Sequence, residues 1–334
     1  MSAQGSESFA VDEADDVDAG LSGHTFKGFG TSIGVWTTEP LLLDQLDRSV
    51  RAWVDRVSAA CNRFDETSDI SLANNAAGVA VPVSRELRGA FQAATSMALL
   101  TDGLYDPAVG TAVVNAGYDR TFESVAAEGP GPKGPGQPGG AWRLVEVDDA
   151  ASTMRVPKGF RVDLGGSAKG WAVDVATEGL RGSLLADYPD SGICISAGGD
   201  MAVAGTPPAG GWPVRISERL DRPGIQGDGE VRLLRGAIAT SGATARSWRH
   251  GDEPGHHIVD PRTGHPGSSR WALVTVFADT CLVADTFATA AWLLDGDAVD
   301  WLSSWGVGAR LMDQDGGIVL VGDLKTWVAG ELPR

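Results

Sequence analysis

Apolar positions along this chain recur at two spacings, and the spacing assigns most of its elements. Leu42, Leu46, Val50, Val54 and Val57 return every three or four residues, which predicts a helix over 41–60 with one buried face. Leu87, Phe91, Ala94, Met97 and Ala98 predict a second helix over 86–101. Ala168, Ala172, Val173, Ala176 and Leu180 predict a third, starting at Ser167. A fourth, capped by Asp279 or Thr280, carries Ala284 to Trp292, and Thr67 or Ser68 suits the cap of a short helix. Shorter apolar runs predict strands at 26–37, 161–164, 193–197 continued by 201–204, 237–242 and 271–278. Paired runs predict hairpins at 145–147 with 154–156, and at 309–312 with 318–321 around Asp315-Gly316-Gly317. Helices and strands mixed in this way predict an α+β fold: mixed, largely antiparallel sheets flanked by helices, as one compact unit.

Other stretches break the pattern. Residues 129–140 alternate glycine and proline and cannot hold regular structure, so 129–141 is expected to be a flexible surface insertion. Residues 1–22 hold Glu7, Asp12, Glu13, Asp15, Asp16 and Asp18 with no apolar run, and are expected to be disordered. Lys27 is the first basic residue, so no secretory leader with a basic start is visible, and no apolar run is long enough to span a membrane. These features predict a cytoplasmic protein. The remaining 23–330 can form one large domain or two intimate ones, since 334 residues at 43% hydrophobic suffice for a full core. A net charge of -17 argues against nucleic acid as a partner. Cys61, Cys194 and Cys281 lie far apart without a C-x-x-C motif, which argues against a zinc site or a disulfide framework.

Three places offer chemistry. In Val162-Asp163-Leu164-Gly165-Gly166-Ser167-Ala168-Lys169-Gly170, a strand turns through two glycines into a helix. Free N–H groups at such a turn suit an anion, with Lys169 adding charge; an ordinary turn in which glycine supplies positive φ is the alternative. Gly198-Gly199 ends a second apolar strand, where glycine permits close approach to a ligand. Asp285 and Thr289 share one face of the fourth helix. Carboxylate plus hydroxyl is hard-oxygen chemistry suited to Mg²⁺; the alternative is an Asp285 that faces water near the helix start. His257, beside Ile258-Val259 and an Asp-Pro turn, is either functional or an ordinary structural histidine. Asp106 precedes Pro107 and reads as a turn residue.

Taken together, eight segments in order resemble the ApbE family, the FAD:protein FMN transferases. They are Phe29-Gly30-Thr31, 64–74, Tyr105-Asp106-Pro107-Ala108-Val109-Gly110, 163–174, Gly198-Gly199-Asp200, Ala239-Thr240-Ser241-Gly242, 257–264 and Asp285-Thr286-Phe287-Ala288-Thr289. The resemblance implies an ApbE-like, T-fold-like architecture over 23–330. It implies that FAD is bound with Mg²⁺, its pyrophosphate cleaved, and FMN attached to a threonine of an acceptor flavoprotein bearing a Ser/Thr-Gly-Ala-Thr type motif. A FAD carrier without transfer and a FAD pyrophosphatase giving FMN and AMP are the alternatives. By motif, the metal ligands are Asp285, Thr289 and the carbonyl of Gly166. FAD contacts fall to Phe29, Phe64, Leu104, Tyr105, Asp106, Asp163, Gly165, Gly166, Lys169 and Ile258, and catalysis to His257 and Lys169. Phe29 and Phe64 replace the family's Met and Tyr, although an aromatic at 64 still stacks. Ser241-Gly242-Ala243-Thr244 resembles the acceptor motif itself, but Ile238 stands where that motif has Asp or Asn, so an ordinary turn is expected there.

Overall fold

In the first unit of the chain, apolar strands build an eight-stranded sheet. Its members are Ser22–Gly28 (β1), Thr31–Thr37 (β2), Gly192–Ala197 (β3), Asp200–Gly205 (β4), Ala237–Ser241 (β5), Trp271–Ala278 (β6), Gly308–Asp313 (β7) and Ile318–Val321 (β8). Spatial order equals chain order and every neighbouring pair is antiparallel. The computed structural model describes residues 20–332 except 77, 130, 217–228, 244–245, 251–252 and 331. Most of the acidic 1–22 stretch, and Thr244, lie outside the described residues; Ser22 already belongs to β1. The helices are Leu43–Cys61 (α1), Asp69–Asn75 (α2), Arg85–Leu100 (α3), Gly110–Asn115 (α4), Phe122–Glu128 (α5), Ala168–Ser183 (α6), Cys281–Leu294 (α7) and Ala298–Ser304 (α8). Contacts group the chain into two units, one of residues up to 54, 169–245 and 270–334, the other of 55–168 and 246–269.

Two strand expectations need correction. The run 26–37 is two arms of a hairpin, with Gly28 opposite Thr31. Phe29 and Gly30 between them both have positive φ, 53° and 68°, as a two-residue turn matching strand twist requires. The run 201–204 likewise doubles back instead of continuing, because Gly198 and Gly199, at φ 67° and 98°, close a second such turn opposite Ala197 and Asp200.

Both faces of this sheet are covered, which is why β3 is buried at every position. On one face Ile33, Val35, Ile193 and Ile195 pack with Leu46, Val50 and Val54 of α1 and Val173 of α6. On the other, the alternate residues Trp36 and Cys194 pack with Met201, Ile238 and Phe277 and with a three-stranded sheet of Trp212–Ile216, Gly229–Leu233 and Val328–Ala329. Each large side chain buried here contributes roughly 1.5–3 kcal/mol of apolar transfer.

Helices α6 and α7 meet at the first turn of α7. A Cβ on Gly170 would lie 3.0 Å from the Cys281 carbonyl oxygen and 3.0 Å from the Leu282 Cα, so any side chain there would press on the α7 backbone. One turn further along α6, the Asp174 carboxylate accepts from the N–H of Cys281 at 2.7 Å and of Leu282 at 2.8 Å. Together with the Thr280 cap, which accepts from Val283, it satisfies the orphan donors of α7. Burial nonetheless pushes Asp174 from an ordinary 3.8 up to about 6, against those two bonds. The folded state therefore holds this proton more tightly than the unfolded one. Its contribution is fully present below pH 3.8 and is lost as pH rises through about 6, a change of roughly 3 kcal/mol. Asp174→Asn is expected to remove that fall, so its stability difference from wild type should grow more favourable between pH 4 and 7. Denaturant melts across this range check it, and parallel pH curves would contradict it.

The second unit packs Ala112, Val113, Tyr118, Val125, Trp248 and Val259 into its core. Ser68 caps α2 as expected. The expected hairpin is present as Glu146–Asp148 with Thr153–Arg155, and Val81–Pro82 adds a third strand. The 161–164 segment is not a ladder strand. Its backbone is taken up by Asn74, which brackets Val162 through both N–H (2.7 Å) and carbonyl (2.9 Å), by Pro107 and by a lone bridge to Val109. A side-chain amide here replaces a neighbouring strand. The Gly/Pro stretch has no regular element over 131–140, yet it is tied: Gly139 N–H donates to the Pro261 carbonyl at 2.7 Å and the Asn115 amide donates to the Pro135 carbonyl at 2.9 Å.

Candidate active site

The first unit gathers one polar group inside its apolar framework. Lys169, in the first turn of α6, ion-pairs with Asp200 at the start of β4, and its Nζ lies 3.8 Å from Asp285 Oδ2 on α7. The lysine side chain is 16% exposed and each carboxylate 7%. One ammonium thus faces two buried carboxylates, an arrangement that keeps its charge in place. One turn beyond Asp285, Thr289 Oγ1 lies 2.9 Å from Ser241 Oγ at the end of β5. Asp285 is therefore buried, so the solvent-facing alternative for it does not hold. Among the described residues no three His, Cys, Asp or Glu side chains form a cluster; the donor set here is two carboxylates and two hydroxyls. Those hard oxygens fit Mg²⁺ and not a soft-ligand metal. Phe29 sits half-buried at the β1–β2 turn. Positive φ is costly for a bulky residue, and such strain concentrates at functional positions.

The second unit holds the other candidates. Asp163 accepts from Arg63 Nε at 2.9 Å through Oδ2 and from the Gly165 N–H at 2.8 Å through Oδ1. Gly165 and Gly166 are not among the residues with positive φ, so left-handed backbone is not their reason; the Tyr105 ring would sit 3.4 Å from a Cβ on Gly166. Tyr105 O–H and Ser167 O–H are 2.6 Å apart, locking the 104–106 turn to the Gly-Gly segment. Half-buried Leu104 donates its N–H to the Thr101 carbonyl. Asp106 is buried, and its carboxylate accepts from the N–H groups of Ala108 and Gly140. Burial raises its pKa and those bonds oppose the rise. The turn chemistry expected of Asp106 is thus what its side chain performs.

His256 and His257 have different roles in the hydrogen bonding. Ile258 N–H donates to His256 Nδ1 at 3.3 Å, and His256 Nε2 lies 3.0 Å from the Gly267 carbonyl, which fixes a neutral Nε2–H ring. Burial lowers the pKa of His256 accordingly. His257 Nδ1 lies 3.4 Å from the Arg246 carbonyl. A carbonyl only accepts, so Nδ1 carries the hydrogen in this contact.

Comparison with known proteins places this geometry. The sequence model of the ApbE family matches residues 29–311. The chain belongs to the ApbE family. A FAD:protein FMN transferase of Rhodobacter capsulatus is 30% identical over 251 residues, covering 73% of this chain and 45% of that protein, so the chain spans about half the length of this relative. An ApbE protein of Thermotoga maritima has the same fold, with a TM-score of 0.76 at 25% identity over 93% of this chain and all of that one. The flavin transferase ApbE of Vibrio cholerae shares the fold at a TM-score of 0.71 and 20% identity. The antiparallel sheets and flanking helices are those of the ApbE α+β fold.

Two members of the polar group were not singled out by sequence reasoning in this ApbE chain. Asp200 and Ser241 stand inside the quoted Gly198-Gly199-Asp200 and Ala-Thr-Ser-Gly segments, but spacing alone could not show that they meet Lys169 and Thr289. Arg63 carried no periodic or motif signal. No helix among the described residues is long and apolar enough to cross a membrane.

Proposed function

We propose that this chain is a FAD:protein FMN transferase. The observation that carries it is the buried group of Lys169, Asp200, Asp285, Ser241 and Thr289, set in the framework of this family. Asp285 and Thr289 hold Mg²⁺ in this reading, with the Gly166 carbonyl assigned as a third ligand by the family motif alone. When bound, Mg²⁺ supplies Lewis acidity at phosphate oxygens. A divalent ion would add positive charge beside Lys169, the sign suited to a pyrophosphate. Lys169 stays fixed by Asp200 and adds a positioned donor to the charge that grows on the leaving phosphate.

The substrate is FAD and the acceptor a threonine in a Ser/Thr-Gly-Ala-Thr type segment of another protein. His257 Nε2 takes the proton of the threonine hydroxyl. The threonine oxygen then bonds to the phosphorus of the FMN half, the bridging P–O bond breaks, and AMP leaves. Phe29, Phe64 and Ile258 give the flavin apolar contact, and the backbone of the 104–106 turn and of Gly165 gives polar contact. Mixing the chain with FAD, Mg²⁺ and such an acceptor should yield a fluorescent flavin band at the acceptor's position on a denaturing gel. A band absent with FAD and Mg²⁺ in excess would contradict the assignment.

A further inference from the structure

Resting on the transferase reading, we propose that Arg63 is a positioning residue that fixes two FAD contacts at once, the Asp163 carboxylate and the Phe64 ring. Its Nε holds Asp163 Oδ2 at 2.9 Å, and the two side chains are 12% and 10% exposed. Its Cζ lies 4.1 Å from the centroid of the Phe64 ring and 4.7 Å from that of Tyr118. Those rings pack on each other at 5.6 Å, and Trp248 supports Tyr118 at 5.8 Å. The guanidinium is therefore held by an anion and by aromatic faces at once, which planar arginine can do and lysine cannot.

The neighbouring backbone is equally fixed. Asn74 brackets Val162, and Gly165 N–H holds the other oxygen of Asp163. Arg63 is thus the element that sets the free direction of this carboxylate. Arg63 also lines a cavity of about 200 Å³, together with Arg161, Asn74 and Asp119 among others. Arg63 Nη2 is buried without a hydrogen-bond partner among the described residues. Removing the guanidinium takes away the partner of Asp163 Oδ2, which then loses its fixed orientation. Phe64 at the same time loses the cation that backs its ring, so the stacking surface for a planar ligand becomes mobile.

The test measures FAD dissociation constants by flavin fluorescence, and KM for FAD and kcat in the transfer assay, for wild type, Arg63→Lys, Arg63→Met, Asp163→Asn and the Arg63→Met/Asp163→Asn pair. Arg63→Met should raise KM and the dissociation constant about 10-fold to 100-fold, with kcat changed far less. Arg63→Lys should recover part of the loss, because it keeps the charge without the planar fork. The double variant should be no worse than the worse single one, since both changes break one device. A wild-type KM in Arg63→Met, or fully additive losses, would overturn the proposal. If Arg63→Met does not fold, the comparison of Arg63→Lys with Asp163→Asn decides in the same way. A wild-type protein that neither binds FAD nor transfers FMN overturns the transferase reading and this inference with it; an active wild type with an unaffected Arg63→Met overturns this inference alone.

Discussion

Asp285→Ala is expected to lower FMN transfer by at least about 100-fold, because loss of a direct metal ligand should exceed the 10- to 100-fold cost of losing a group that merely orients one. The fold should survive. Lys169 keeps its ion pair with Asp200, and α7 keeps the Asp174 and Thr280 contacts at its start. The melting temperature should therefore move by only a few degrees. Thr289→Val should cost less, since it removes one neutral oxygen that also pairs with Ser241, and raised Mg²⁺ should restore part of the rate. Rates measured against Mg²⁺ concentration, beside thermal melts, check both. An Asp285→Ala protein that transfers FMN at the wild-type rate under limiting Mg²⁺ would show that the carboxylate serves Lys169 only.

His257→Asn should lower kcat for transfer by roughly 10²- to 10⁴-fold while leaving FAD affinity within a few-fold of wild type. Asparagine can still donate toward the Arg246 carbonyl, so the local loop is preserved. It has no basic nitrogen to take the threonine proton. His256→Asn is the matched control. That ring spends both nitrogens on Ile258 and Gly267, so its loss should appear in stability before it appears in kcat. Equal kcat losses in the two variants would move the base away from His257.

Local spacing made the elements legible. Helices α1, α3, α6 and α7 follow the 3–4 residue recurrence of their apolar residues, and the buried β3 follows its continuous run. Turns were less legible. The pair at Phe29-Gly30 looks like the middle of a strand, because nothing in the composition announces a phenylalanine at positive φ. The 161–164 segment has strand composition, but its partner is the Asn74 amide, a contact 88 residues away in sequence. The same distance effect governs the site. Lys169, Asp285 and Thr289 were visible as motif residues, whereas Asp200 and Ser241 become members only when β4 and β5 come beside α6 and α7. Gly170 and Asp174 belong to the quoted motif, and their physical task is to seat the first turn of α7.

The most direct measurement follows both products in one reaction: the intact mass of the acceptor and the AMP released, with FAD and Mg²⁺ in excess. The acceptor should gain one FMN phosphoester for each AMP formed, the modified peptide should carry it on threonine, and no AMP should appear when acceptor is left out. AMP formed at an undiminished rate without any mass gain on the acceptor would contradict the transferase reading, and would make the chain a pyrophosphatase.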